Sequence, residues 1–213
     1  MLNTTHAKLN KRHFPLVADF NLDINLKRLQ EETDSLAKNF VDVETANPML
    51  CNNHATLVQS VYDNFTQINL TTPSEMLPHT LSVKERLKRK EEHLYNVPTA
   101  DYIGSVFEEI VNQFKAPAIR IRITKLEPGK EIPFHVDYDI NYAVRCICPV
   151  YTNKSVINQF VRNGKTENFN LEAGRAYFLN IGYPHSVINQ SSEPRIALMF
   201  SLENTDDITD LQL

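Results

Sequence analysis

The sequence predicts a mainly β chain with flanking helices (α+β), its second half folding into a sandwich or barrel. Three observations carry this. Apolar residues recur at helical spacing through much of the first half, the period switches to two from residue 118, and short strand-like runs then follow at regular intervals between turn residues.

Taken in order, residues 22–40 place Leu22, Leu26, Leu29, Leu36 and Phe40 near the helical period, with Asn21 or Asp23 as the expected cap. A second helix is expected after Ser82, which stands at capping-box spacing from Glu85. Its run VKERLKRKEEHL reads as a solvated face, because Glu85, Glu91 and Glu92 interleave with the basic residues. A third helix is expected over 101–114, where Ile103, Val106, Phe107, Ile110, Val111 and Phe114 form a wide apolar stripe suited to packing on a sheet. In that run Gly104 is expected to weaken the helix.

From residue 118, Ile119, Ile121 and Ile123 alternate with Arg120, Arg122 and Thr124, so the strand has two unlike faces. Further strands are expected near 132–138, 142–151, 155–162, 166–171, 175–180, 184–189 and 195–202. Asn163-Gly164 marks a two-residue hairpin, since type I′ turns need positive φ twice. The chain thus divides into a mostly helical supporting segment (1–117), a β core (118–203) and an acidic tail (204–213) that is expected to fray, the whole forming one integrated domain.

Composition removes several classes of function. With five glycines in 213 residues, none closely spaced, the usual phosphate-binding loops are excluded. A net charge of −4 argues against general binding to nucleic acid or to membrane surfaces. No apolar run is long enough to span a bilayer and the first residues do not read as a signal peptide. Three cysteines suit a reducing cytoplasm. Cys146 and Cys148 read as small buried residues, since two thiolates fall short of a zinc site and Cys51 is remote in sequence. His13, His54, His79 and His93 show no partner pattern.

The chemistry centres on His135-Val136-Asp137. Residues two apart on a strand point to one side, so the imidazole and the carboxylate can address one point in space. Alone, that spacing is weak and reads as a hydrogen-bonded surface pair sooner than as a site. His185 opens a later strand, and ten residues further on Arg195 opens the last, which returns through Ser191–Pro194 to bring Arg195 near His185. On the last strand Arg195, Ala197, Met199 and Ser201 form a mixed face suited to lining a pocket, while Ile196, Leu198, Phe200 and Leu202 form an apolar one. Two histidines and a carboxylate are the ligand set of a non-haem iron(II) facial triad, and a guanidinium suits the distal carboxylate of a chelating keto acid. Asp139, on the same face as Asp137, is an alternative carboxylate.

The ordered set P-G, H-x-D, R-x-x-x-P, N-x-x-x-x-H and H-x₉-R runs through KLEPGKEIPFHVDYDINYAVRCICPVYTN and EAGRAYFLNIGYPHSVINQSSEPRIALMFSLE. In this it resembles the aspartyl/asparaginyl β-hydroxylase-like branch of the 2-oxoglutarate- and Fe(II)-dependent oxygenases, which includes free-proline hydroxylases. The resemblance covers roughly residues 118–203 and implies a double-stranded β-helix, the jelly-roll or cupin-like barrel. It implies that His135, Asp137 and His185 hold Fe(II) and that Arg195 binds the C5 carboxylate of 2-oxoglutarate. Arg145 and Asn180 match family positions near that co-substrate. Dioxygen is the further co-substrate, and succinate and carbon dioxide the co-products. Arg122 matches a family arginine that could hold a substrate carboxylate, and Tyr138, Asn141 and Tyr142 are expected at the pocket mouth. The chain departs from the pattern at Ile147, where several members carry histidine, and at Ala197, where many relatives carry serine. The expected activity is hydroxylation of a free amino acid or related small molecule, with side chains in a protein or peptide as the alternative. A non-catalytic cupin-type binding protein and a cupin enzyme that does not use 2-oxoglutarate are the competing classes.

Overall fold

The computed structural model describes residues 9–47, 49 and 65–212, so Cys51 and His54 lie outside the described residues. The first strands are β1 (Val17–Asp19), β2 (Val41–Asp42), β3 (Phe65–Asn69), β4 (Thr71–Thr72) and β5 (Val97–Pro98). Then come β6 (Ala118–Leu126), β7 (Glu131–His135), β8 (Val144–Tyr151) and β9 (Val156–Arg162). The last four are β10 (Lys165–Phe169), β11 (Tyr177–Leu179), β12 (His185–Asn189) and β13 (Arg195–Leu202).

A large antiparallel sheet runs β1-β11-β8-β13-β6-β3-β2, and a smaller one runs β10-β9-β12-β7. Apart from the β9–β10 hairpin, strands alternate between the two sheets along the second half of the chain, which gives the jelly-roll its double-stranded β-helix. β4 and β5 form a separate two-stranded ribbon.

Alternation along β6 and β13 builds the layers. Ile121, Ile123, Leu198, Phe200 and Leu202 turn outward from the barrel and pack with Leu29, Val106, Phe107 and Ile110 of the helices. Each such side chain, fully buried, contributes about 1.5–3 kcal/mol. The opposite faces of the sheets meet in a second cluster of Ile147, Phe160, Leu179 and Ala197. This is the division between the two faces of the last strand that its sequence predicts. Cys146 and Cys148 are buried free thiols in the outer cluster.

The first half differs most from expectation. Its helices are short and alternate with strands, and β1, β2 and β3 all join the large sheet. The first helix is Leu26–Ser35, capped by Asn25 rather than by Asn21 or Asp23, because Asn25 Oδ1 accepts from the Arg28 amide. Ser82 and Glu85 form the expected capping box on Val83–Lys88. Lys90 then takes a left-handed conformation and breaks the run before Glu91–Leu94. The third helix is only Val106–Val111, capped by Ser105. Gly104 lies ahead of it at φ 74°, a conformation that explains its presence without any helical cost. Ile103, outside the helix, is exposed.

The acidic tail is anchored. Both Asp207 carboxylate oxygens accept backbone amides, from Lys115 and Ala116, and Ile208 is fully buried. Among the described residues no helix is long and apolar enough to cross a membrane.

Candidate metal centre and its pocket

Antiparallel pairing of β7 with β12 sets His135 directly opposite His185. Their rings lie 4.2 Å apart between centroids, and the far side of His185 stacks on Phe160. Asp137 is not on the strand, as alternation would have it, but two residues past its end, where its amide donates to the Ile181 carbonyl. That turn still carries its carboxylate to 3.6 Å from His135 Nε2. One donor atom from each of the three side chains falls within 4.8 Å of the others.

Backbone carbonyls orient both imidazoles. His135 Nδ1 lies 2.8 Å from the Pro133 carbonyl, and His185 Nδ1 lies 3.0 Å from that of Tyr183. A carbonyl can only accept, so each Nδ1 is the donor and each Nε2 is the ring atom turned toward the cluster. Burial lowers the pKa of His185 to about 4, which keeps it a neutral ligand at ordinary pH. The donor set, its tautomers and its one-sided arrangement fit a divalent iron. Asp139 is turned away to Asn141 and takes no part.

The three side chains line a cavity of about 700 Å³ between the sheets. Arg195 reaches it from the start of β13 and is buried, with Thr124 Oγ1 at 3.4 Å as its side-chain hydrogen-bond partner. No carboxylate among the described residues is in ion-pair range of it, and burial lowers its pKa to about 10. A buried guanidinium without an acid is costly unless an anion visits it.

Arg122, Arg145, Tyr138 and Tyr142 also line the cavity. Asn180 and Asn141 do not. Asn180 directs its amide to the Lys11 and Pro15 carbonyls, tying the N-terminal segment to the barrel. Asn141 bonds the Leu9 carbonyl and Asp139 on the surface. Ile147 contributes an apolar stretch of wall.

Glu92 is the residue whose place the sequence does not reveal. Expected on a solvated helix face, it points into the barrel instead. Its Oε1 accepts from Arg145 Nη2, Tyr138 and Ser201 at 3.1 Å each, while Arg120 Nε lies 3.5 Å from Oε2 and Arg122 Nη1 3.9 Å from Oε1. Burial alone would raise its pKa, but Arg120, then Arg145 and Arg122, hold it down to about 2. One signal pointed this way. Arg120 and Arg122 alternate with isoleucines that need a core, so both guanidinium groups turn inward and require a buried acid. Arg120 also bulges the strand, at φ 49° opposite the register shift in β13, and lays its guanidinium over the Tyr95 ring.

A profile of the aspartyl/asparaginyl β-hydroxylase family matches residues 25–205. No curated protein sequence matches the chain significantly. Among solved structures, a prolyl-4-hydroxylase of Pseudomonas putida aligns with 88% of this chain and 91% of its own, at 14% identity and a TM-score of 0.48. A 2OG-Fe(II) oxygenase family protein of Burkholderia pseudomallei covers 65% of this chain and 67% of its own, at 12% identity and a TM-score of 0.41. Oxalate decarboxylase of Bacillus subtilis covers 41% of this chain and 21% of its own, at 20% identity and a TM-score of 0.33.

Proposed function

The chain belongs to the aspartyl/asparaginyl β-hydroxylase family of Fe(II)- and 2-oxoglutarate-dependent oxygenases, and we propose that it hydroxylates a free amino acid or related small molecule in this cavity. The observation that carries the reading is the convergence of His135, Asp137 and His185, both imidazoles oriented by backbone carbonyls, beside the acid-free Arg195. When bound, iron(II) and 2-oxoglutarate supply the oxidising chemistry, which consumes dioxygen and releases succinate and carbon dioxide.

The protein's own groups bind, orient and exclude. His135, Asp137 and His185 would hold the metal, one ligand atom from each lying within 4.8 Å of the others. Arg195 takes the far carboxylate of 2-oxoglutarate, its planar fork matching the two oxygens. Ile147, Phe160 and Leu179 keep water from the reacting atoms. Arg145, bonded to Glu92 and 3.8 Å from Asp137, steadies the metal-binding carboxylate. Arg122, Tyr138 and Tyr142 face the remaining space, where the substrate sits.

The test is succinate release from purified protein with Fe(II), ascorbate and 2-oxoglutarate, across a panel of free amino acids, small acids and short peptides. Substrate-stimulated succinate that disappears in His185→Ala is the expected result. Absence of both succinate and metal-dependent 2-oxoglutarate binding would refute the reading.

A further inference from the structure

The cavity holds more positive charge than its own acids can satisfy. Among the described residues, five arginines line it, Arg86, Arg120, Arg122, Arg145 and Arg195, against three acids, Glu91, Glu92 and Asp137. Glu91 pairs with Arg86 at 3.2 Å. Asp137 belongs to the metal and Arg195 to the co-substrate. Three guanidinium groups therefore face the single carboxylate of Glu92.

Two of them have donors to spare. Arg145 is buried, yet its Nη1 has no hydrogen-bond partner among the described residues. Among the described residues, Arg122 donates only to the Arg120 carbonyl and, at 3.3 Å, to the Met199 sulfur, with the Glu92 carboxylate further off at 3.9 Å. A divalent metal would be balanced by Asp137 and one co-substrate carboxylate, and so would not cancel this excess.

An anion fits such a locus, and a zwitterion does not. A free amino acid carries its ammonium one carbon from its carboxylate, so binding the carboxylate here would bring a cation against guanidinium groups. Among the described residues, no acid of the cavity is left to receive that ammonium. The wall beyond is apolar, with Phe134 and Val136 beside the metal residues and Val83 and Leu87 also lining the space, all four exposed.

Resting on the oxygenase reading above but taking the related small molecules in place of the free amino acids themselves, we propose that the substrate is a net anion with an apolar body and no charged amine beside its carboxylate, such as an N-acylated amino acid. Arg122 and Nη1 of Arg145 hold that carboxylate, and Glu92 fixes the two arginines without competing for it.

Calorimetry under argon on the Fe(II)- and 2-oxoglutarate-loaded protein tests this, with N-acetyl-L-leucine against L-leucine and N-acetyl-L-proline against L-proline. Glycyl-L-leucine, whose ammonium is remote from its carboxylate, serves as a peptide arm. The acetylated member of at least one pair should bind about tenfold or more tighter than its free amino acid. Arg122→Gln should shrink that preference to about threefold or less and leave 2-oxoglutarate affinity within about twofold, while Arg122→Lys, which keeps the charge, retains it. Equal or tighter binding of the free amino acids, no binding by either acetylated acid, or an undiminished preference in Arg122→Gln overturns the proposal. Loss of metal-dependent 2-oxoglutarate binding in the unsubstituted protein would instead bring down the oxygenase reading itself.

Discussion

Glu92 carries a full charge in a place where its neighbours, not water, keep it ionised. Removing that charge leaves Arg120, Arg122 and Arg145 facing one another, so Glu92→Gln is expected to cost about 3 kcal/mol in chemical denaturation, because breaking one side of a buried ionic cluster strands the other. The same residue predicts an acid limb of stability. Its carboxyl sits at about 2 in the folded chain against an ordinary 4.5, so its contribution is complete above about pH 4.5 and is lost as pH falls toward 2. That contribution is roughly 3 kcal/mol, and unfolding midpoints in denaturant between pH 2 and 6 should show the slope, flattened in Glu92→Gln. Arg195 makes a different prediction. It supports no internal ion pair, so Arg195→Ala should leave the fold near its original stability while raising the KM for 2-oxoglutarate by about 30-fold or more in succinate assays.

At the scale of elements, local chemistry is strongest where a turn or cap needs particular residues. Asn163 and Gly164 take φ of 54° and 73° at the tip of the β9–β10 hairpin. Gly164→Val should cost about 1–3 kcal/mol by thermal unfolding, since a β-branched residue resists that conformation whatever space it has. The strands of the second half were readable for the same reason: alternation, turn residues and the two faces of β6 and β13 all agree. His135, Asp137 and His185 were readable as a set that converges, although Asp137 reaches its place through irregular chain past the end of β7 and not through strand alternation. The first half was not readable to that degree. β1 and β2 are only three and two residues long, too short to show a period, and gain their shape from pairing with β11 and β3. Glu92 escaped because a helical acid among lysines looks solvated until the arginines of β6, distant in sequence, are laid beside it. Asn180 and Asn141 show the converse, polar residues near the motif whose bonds go to the N-terminal segment.

For the whole molecule, the two sheets enclose a cavity lined by His135, Asp137, His185 and several arginines. Mn(II) with 2-oxoglutarate, each at about 100 times its Kd, should stabilise the native state by about 3 kcal/mol or more in differential scanning fluorimetry, a rise of several degrees for a chain this size. His185→Ala should abolish the metal-dependent part of that rise. The sheet order has a further consequence, for the sequence of events in folding. β13 lies between β6 and β8 at the middle of the large sheet, although it is the last strand of the chain. Until Arg195–Leu202 emerges and inserts, β6 and β8 present two apolar, unpaired edges with a slot between them, and Arg195 has not arrived at the cavity. A nascent or truncated chain ending before that strand therefore has neither a closed sheet nor the buried guanidinium of Arg195. Closure from the far end of the chain makes assembly slow and leaves the protein most vulnerable to aggregation just before its last strand docks.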